Sequence, residues 1–213
     1  MLISILVPIV TLVAGGFLGA WFTIYISRPK LMVGGSGGGG GGAGPGHSTN
    51  YVRIRNQPGF VGISIKQTII FGKRLHGRID KGLSVDRSPA NECSASIRDK
   101  ETGEYIASLW WRPLDVVDVA QSSVNIKSGE DYDLMLFARL NDEPTSYFVY
   151  QSKNGTMSDV LTPPDDVRFH HTKRFVVQVD YSYHRQKFEF DVTVRKGLDG
   201  RLSYQTTGGG GSF

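Results

Sequence analysis

Hydrophobic and polar positions follow two regimes along this chain. Residues 2–26 form one unbroken apolar run, LISILVPIVTLVAGGFLGAWFTIYI, and no charge appears before Arg28 and Lys30. As a helix, a run of this length rises about 37 Å, enough to cross a hydrocarbon core of about 30 Å with some tilt. The pattern predicts one N-terminal transmembrane helix over residues 1–27. Trp21, Phe22 and Tyr25 gather at its carboxyl end, where aromatic rings settle at the headgroup level. An uncleaved anchor is expected rather than a signal peptide. No basic stretch precedes the run, the run exceeds the roughly 7 to 15 residues of a signal core, and Ser27-Arg28-Pro29-Lys30 is no small-residue cleavage site.

Past the first charges the period becomes two. Tyr51-Val52-Arg53-Ile54-Arg55 alternates, as do Ile63-Ser64-Ile65 leading to Ile69-Ile70-Phe71, and Cys93-Ser94-Ala95-Ser96-Ile97-Arg98. The last of these runs through a polar turn at residues 99–104 into residues 105–111, which predicts a hairpin. Further strands are expected over residues 132–140, 146–151, 175–183 and 188–195, separated by turns such as Asn141-Asp142-Glu143-Pro144. No segment sustains a three-to-four apolar period. The expected fold is mainly β, an antiparallel β-sandwich behind a single transmembrane helix, with a closed β-barrel as the alternative. The order Cys93, Trp110-Trp111, then Tyr181 and Tyr183 resembles immunoglobulin-like domains, which implies the sandwich; no second cysteine pairs with Cys93.

Residues 34–46 read GGSGGGGGGAGPG, with no side chain able to bury apolar area. A flexible linker is expected over 28–47, the tract spanning roughly 20 Å as a random coil. A phosphate-binding glycine loop is excluded, because no GK[ST] follows. The β domain is then expected over 48–205, with a glycine-rich tail at 206–213.

Charge adds an orientation. Residues 28–90 hold ten Lys/Arg against two Asp/Glu, and residues 91–213 hold fourteen against eighteen, so a net +8 precedes a net −4 in a chain of net +4. Positive flanks resist translocation, so the amino terminus is expected outside and the β body in the cytoplasm. The lone Cys93 accords with that side, and the sequon Asn154-Gly155-Thr156 is read as a turn. Arg28, Lys30, Lys73, Arg74 and Arg78 are candidate membrane-facing cations, with 73–78 expected as a loop. Nucleic acid is not expected as a partner, since the basic half carries only Tyr51, Phe60 and Phe71 as aromatics.

Candidate chemistry is sparse. Trp110, Trp111 and Arg112 form the candidate binding anchor; on a strand one tryptophan fills the core and the other faces out. Asp115, Asp118, Glu130, Asp131 and Asp133 are read as solvated turn charges. No Cys/His spacing of the metal-binding type and no nucleophile motif occurs, so neither enzyme activity, cofactor nor metal is expected. Gly15 with Gly19, and Gly16 with Ala20, give a small-xxx-small face suited to helix contact. The expected function is a non-enzymatic, single-pass interaction module whose partners are the bilayer and a protein or a second copy. One alternative is a sensor of a small anionic ligand that oligomerises through its helix, a plan similar to membrane-tethered β-barrel effectors of bacterial antiphage signalling. Another is a structural subunit of a membrane-rooted assembly, similar to archaeal pilin-like subunits.

Overall fold

A computed structural model of the chain describes residues 2–43, 46–65, 68–70, 73–75, 79–116, 118–143, 145–164, 167–182, 186–196 and 202–207. It divides into two compact units, residues 1–28 with 58–88, and residues 29–57 with 89–213.

The first unit holds helix α1 (Leu2–Ser27) and two pairs of β strands. The helix is uncapped by charge, and residues 10–25 of it are exposed: Leu12 is 78% and Phe17 73% exposed. In water such exposure would oppose folding, whereas in lipid it costs nothing. Among the described residues this is the one helix long and apolar enough to cross a membrane. The strands form two separate two-stranded sheets, β3 (Gly59–Ile65) with β6 (Ile79–Val85) and β4 (Thr68–Ile70) with β5 (Lys73–Leu75). Lys73-Arg74-Leu75, expected in a loop, is therefore a strand; Arg78 lies outside the described residues. Past these strands, the Ser88 amide donates to the Ser27 carbonyl (2.7 Å) and the Arg87 guanidinium to the Arg28 carbonyl (2.8 Å), filling acceptors at the helix end.

The second unit is one antiparallel sheet. Its strands are β1 (Leu31–Ala43), β2 (His47–Asn56), β7 (Ala90–Asp99), β8 (Tyr105–Pro113), β9 (Ser123–Ile126), β10 (Asp131–Leu140), β11 (Phe148–Val149), β12 (Lys173–Tyr181), β13 (Gln186–Lys196) and β14 (Leu202–Thr207). The order is β1-β2-β10-β8-β7-β12-β13-β14, with β11 on β10 and β9 on β7. The sheet curls into a half-barrel, the geometry compatible with the barrel alternative, and the described strands of this unit join one ladder rather than two facing sheets. Its ends meet: Tyr204 on β14 donates its phenol to the Tyr51 carbonyl on β2 at 2.7 Å.

Period-two patterning builds the concave core. Val52 and Ile54, Ala95 and Ile97, Leu109 and Trp111, Phe175, Val177 and Val179, and Phe188, Phe190, Val192 and Val194 all point inward and are buried. In β10 the register against β2 shifts between Met135 and Phe137, which places one extra residue, Leu136. This bulge flips the alternation, so Leu134 before it and Phe137 after it both reach the same core. Phe137 stacks edge-on against Phe169 (5.5 Å) and packs on Phe175 (5.3 Å). The other face of β10 is covered as well: Met135 and Ala138 meet Phe148, Tyr150 and Met157 in a second, smaller core.

The glycine tract corrects the linker expectation. Residues 31–43 are the edge strand β1, paired with β2 from Leu31↔Asn56 to Ala43↔His47, with a register break between Gly34 and Gly39. A backbone ladder needs no side chains, so a sequence without apolar pattern still pairs where a neighbouring strand offers donors and acceptors. Buried Asn56 fixes the start of this strand. Its Oδ1 accepts from the Lys30 amide (3.0 Å), its Nδ2 donates to the Ile126 carbonyl (3.1 Å), and the Gln57 amide donates to the Lys30 carbonyl (2.9 Å).

Candidate functional site

Register across β1, β2, β10 and β8 sets one row of four positions: Gly34↔Arg53, Arg53↔Asp133 and Asp133↔Arg112. Val52 and Ile54 point into the core, so Arg53 faces the convex side. Asp133, read from the sequence as a solvated charge, is fully buried. Its Oδ1 accepts from Arg53 Nε at 3.0 Å and its Oδ2 from Arg112 Nη2 at 2.5 Å. Burying one carboxylate is costly unless it is paired and hydrogen-bonded, and here two guanidiniums enclose it. The hydrogen bond and charge of Asp133 raise the pKa of Arg53 above its ordinary value. Arg112 lies over the Tyr51 ring, its guanidinium carbon 4.8 Å from the centroid, a cation–π contact that fixes its plane. One row away, Arg55 pairs with Asp131 at 2.7 Å.

The tryptophan pair resolves by strand alternation. Trp111 is fully buried in the main core. Trp110 is the outward ring, half-buried against the smaller core, with its Nε1 donating to Gln151 Oε1 at 3.4 Å; Gln151 in turn donates to the Ser108 carbonyl at 2.8 Å. The convex face thus carries Arg112, Tyr51 and Trp110 as neighbours, while Trp111 is packing alone. Arg53, Asp133 and Tyr51 escaped the sequence reading, because the partners are 80 and 21 residues apart. The one available signal was the charge of Asp133 inside the alternating run 132–140.

Of the candidate membrane-facing cations, Lys30 is exposed and Arg28 half-buried; Lys73 and Arg74 sit on β5. On α1, Trp21 and Tyr25 stack with centroids 5.8 Å apart. A methyl group built on Gly15, Gly16 or Gly19 meets nothing within 4 Å, so that face is open. Elsewhere, a shallow depression between β7 and β12 is lined by Glu92, Asp180 and Lys187. Of these, Asp180 is matched locally, Gln178 Nε2 donating to both its oxygens at 2.8 and 2.7 Å. Among the described residues no three His, Cys, Asp or Glu side chains gather as a metal site would require. Cys93 is buried beside Ala90, whose carbonyl accepts from its thiol at 3.2 Å, and burial pushes its pKa up to about 12, the opposite of a reactive thiolate. No protein-family model, curated protein or solved structure matches the chain.

Proposed function

We propose that this chain is a single-pass membrane protein that presents its curled β sheet beside the bilayer as a non-enzymatic interaction module. The observation that carries this reading is α1: a 26-residue helix without a charge, exposed over residues 10–25, and followed within three residues by Arg28 and Lys30. By the positive-inside rule those cations favour a body on the cytoplasmic side. The convex row of Arg53, Asp133 and Arg112 with Tyr51 and Trp110 is the surface offered to a partner, since arginine and aromatic residues dominate binding hot spots. The finer fold reading is a barrel wall, with the Tyr204 to Tyr51 hydrogen bond at its seam.

Two steps test this. The chain must stay in the membrane fraction through an alkaline carbonate wash, and release into the aqueous phase sinks the anchor. A cysteine introduced at exposed Glu101 must then resist a membrane-impermeant maleimide in intact cells and react after permeabilisation. Labelling from outside reverses the orientation. The open Gly15/Gly19 face favours a second reading, self-association through the helix. Crosslinking of copies at that face, abolished by Gly19→Leu, supports it.

A further inference from the structure

We propose that Arg53 and Arg112 form a binding site for a phosphate oxyanion on the convex face of the sheet. The charge arithmetic comes first. Asp133 places one negative charge between two guanidiniums, and its side chain is 0% exposed, whereas those of Arg53 and Arg112 are 42% and 27% exposed. One arginine suffices to neutralise the carboxylate, so the second positive charge is surplus and faces water.

Donor geometry follows. Arg53 gives Asp133 its Nε–H and Arg112 gives one Nη–H; among the described residues no other hydrogen bond engages either guanidinium. The remaining N–H groups form two planar forks held in one row, the arrangement that matches tetrahedral phosphate oxygens through paired bonds. Both forks are already ordered, Arg53 and Arg112 by Asp133 and Arg112 further by the Tyr51 ring. Binding therefore sacrifices little side-chain freedom. The negative charge of Asp133 is offset by one of its two guanidiniums, and both its oxygens are buried and occupied, so neither lies in contact with the ligand. Arg55 is outside the site, its Nε being engaged by Asp131 at 2.7 Å.

The fourth position of the row leaves access. Gly34 stands beside Arg53, where a Cβ would rest in ordinary van der Waals contact with Arg53 Cγ at 3.6 Å, so glycine leaves this flank of the arginine without a side chain. Chain connectivity also supplies a source of phosphate. Gly34 is seven residues past the end of α1 at Ser27, a stretch that spans at most about 25 Å fully extended. Lipid headgroups are within that reach if α1 spans a bilayer, and this choice of source rests on the anchor reading. The oxyanion site itself does not.

The test uses the full chain with nitrogen-15 arginine side chains, observed by Nε–H resonances. In maltoside micelles, which hold no phosphate, inorganic phosphate is titrated; separately, the chain is placed in nanodiscs of phosphatidylglycerol or of galactosyl diacylglycerol. Saturable shifts of Arg53 and Arg112 with inorganic phosphate support the site, and shifts in phosphatidylglycerol but not galactolipid discs identify the headgroup as its source. Arg53→Lys and Arg112→Lys keep a cation on Asp133 and so keep the fold, but lose the fork; each should weaken phosphate about tenfold. Arg174→Gln, an exposed arginine on β12, should leave the titration unchanged. Absence of shifts with both phosphate sources, or equal weakening by Arg174→Gln, overturns the proposal. Loss of the chain from membranes on carbonate washing would remove the headgroup source while leaving the micelle titration intact.

Discussion

Removing a single oxygen should loosen the seam of the half-barrel. Tyr51 sits where the β2 ladder is irregular on both sides: β1 shifts register between Gly34 and Gly39, and β10 between Met135 and Phe137. The phenol of Tyr204, 153 residues away, donates to the Tyr51 carbonyl at 2.7 Å. In Tyr204→Phe the ring stays edge-on against Phe137, 6.4 Å between centroids, so no cavity opens. What is lost is one hydrogen bond, with a partly buried carbonyl left short of a donor, which costs about 1–3 kcal/mol. At roughly 2–4 °C per kcal/mol for a chain of this size, the melting point falls by several degrees. Burial pushes the Tyr204 pKa up to about 12, so the phenol keeps its proton through the neutral range and donates there throughout. Urea unfolding of the full chain in maltoside micelles, followed by tryptophan fluorescence, to which buried Trp111 contributes, measures the difference. A variant within about 0.5 kcal/mol of the parent, the scatter of ordinary surface changes, would refute the assignment of seam closure to this hydroxyl.

Three further outcomes follow from buried or paired groups. Asn56→Ala removes both side-chain hydrogen bonds that clamp Lys30 and Ile126; it should cost about 2–4 kcal/mol and speed hydrogen exchange at the Lys30 amide. The Asp99 pKa is lowered, chiefly by the hydrogen bond from Lys173 at 2.9 Å and then by the Glu101 amide. A depressed carboxyl stabilises above its unfolded pKa of about 3.9 and loses that contribution as pH falls through the folded value. The stability gap between parent and Asp99→Asn should therefore be full at neutral pH and close in strong acid; a gap independent of pH sinks the assignment. Cys93 should resist iodoacetamide in the folded chain and react in urea. Because its unfolded thiol ionises near pH 8.5 and its folded thiol only at about 12, stability should also fall as pH rises above the first of these values, and Cys93→Ala should flatten that decline.

Legibility in the sequence followed the range of the interactions. The β7–β8 hairpin was readable because alternation and turn chemistry are local: Asp99 Oδ1 accepts from the Glu101 amide at 2.8 Å, and Gly103 supplies φ +73°. The apolar helix was readable from length and charge alone. The glycine strand was not, since a ladder formed by backbone leaves no period in side chains. Nor was the second core: residues 133–138 of β10 are buried on both faces because the segment carrying Phe148, Tyr150 and Met157 folds back over them. The sequence singled out Arg112 for its neighbours Trp110 and Trp111, yet its working partners are Asp133 and Tyr51, on two other strands.

The Asn56 clamp has a mechanical consequence. Within the sheet, tension transmitted along the chain from α1 arrives first at Lys30, whose amide and carbonyl are both held, and next at Leu31, which is 3% exposed and pairs with Asn56 itself. The rungs formed by glycine lie beyond that point. With α1 held in a bilayer, as proposed, a thermal tug would be absorbed at the root of the strand, like strain relief on a cable, and the weak glycine rungs would peel only after Lys30 and Leu31 had let go.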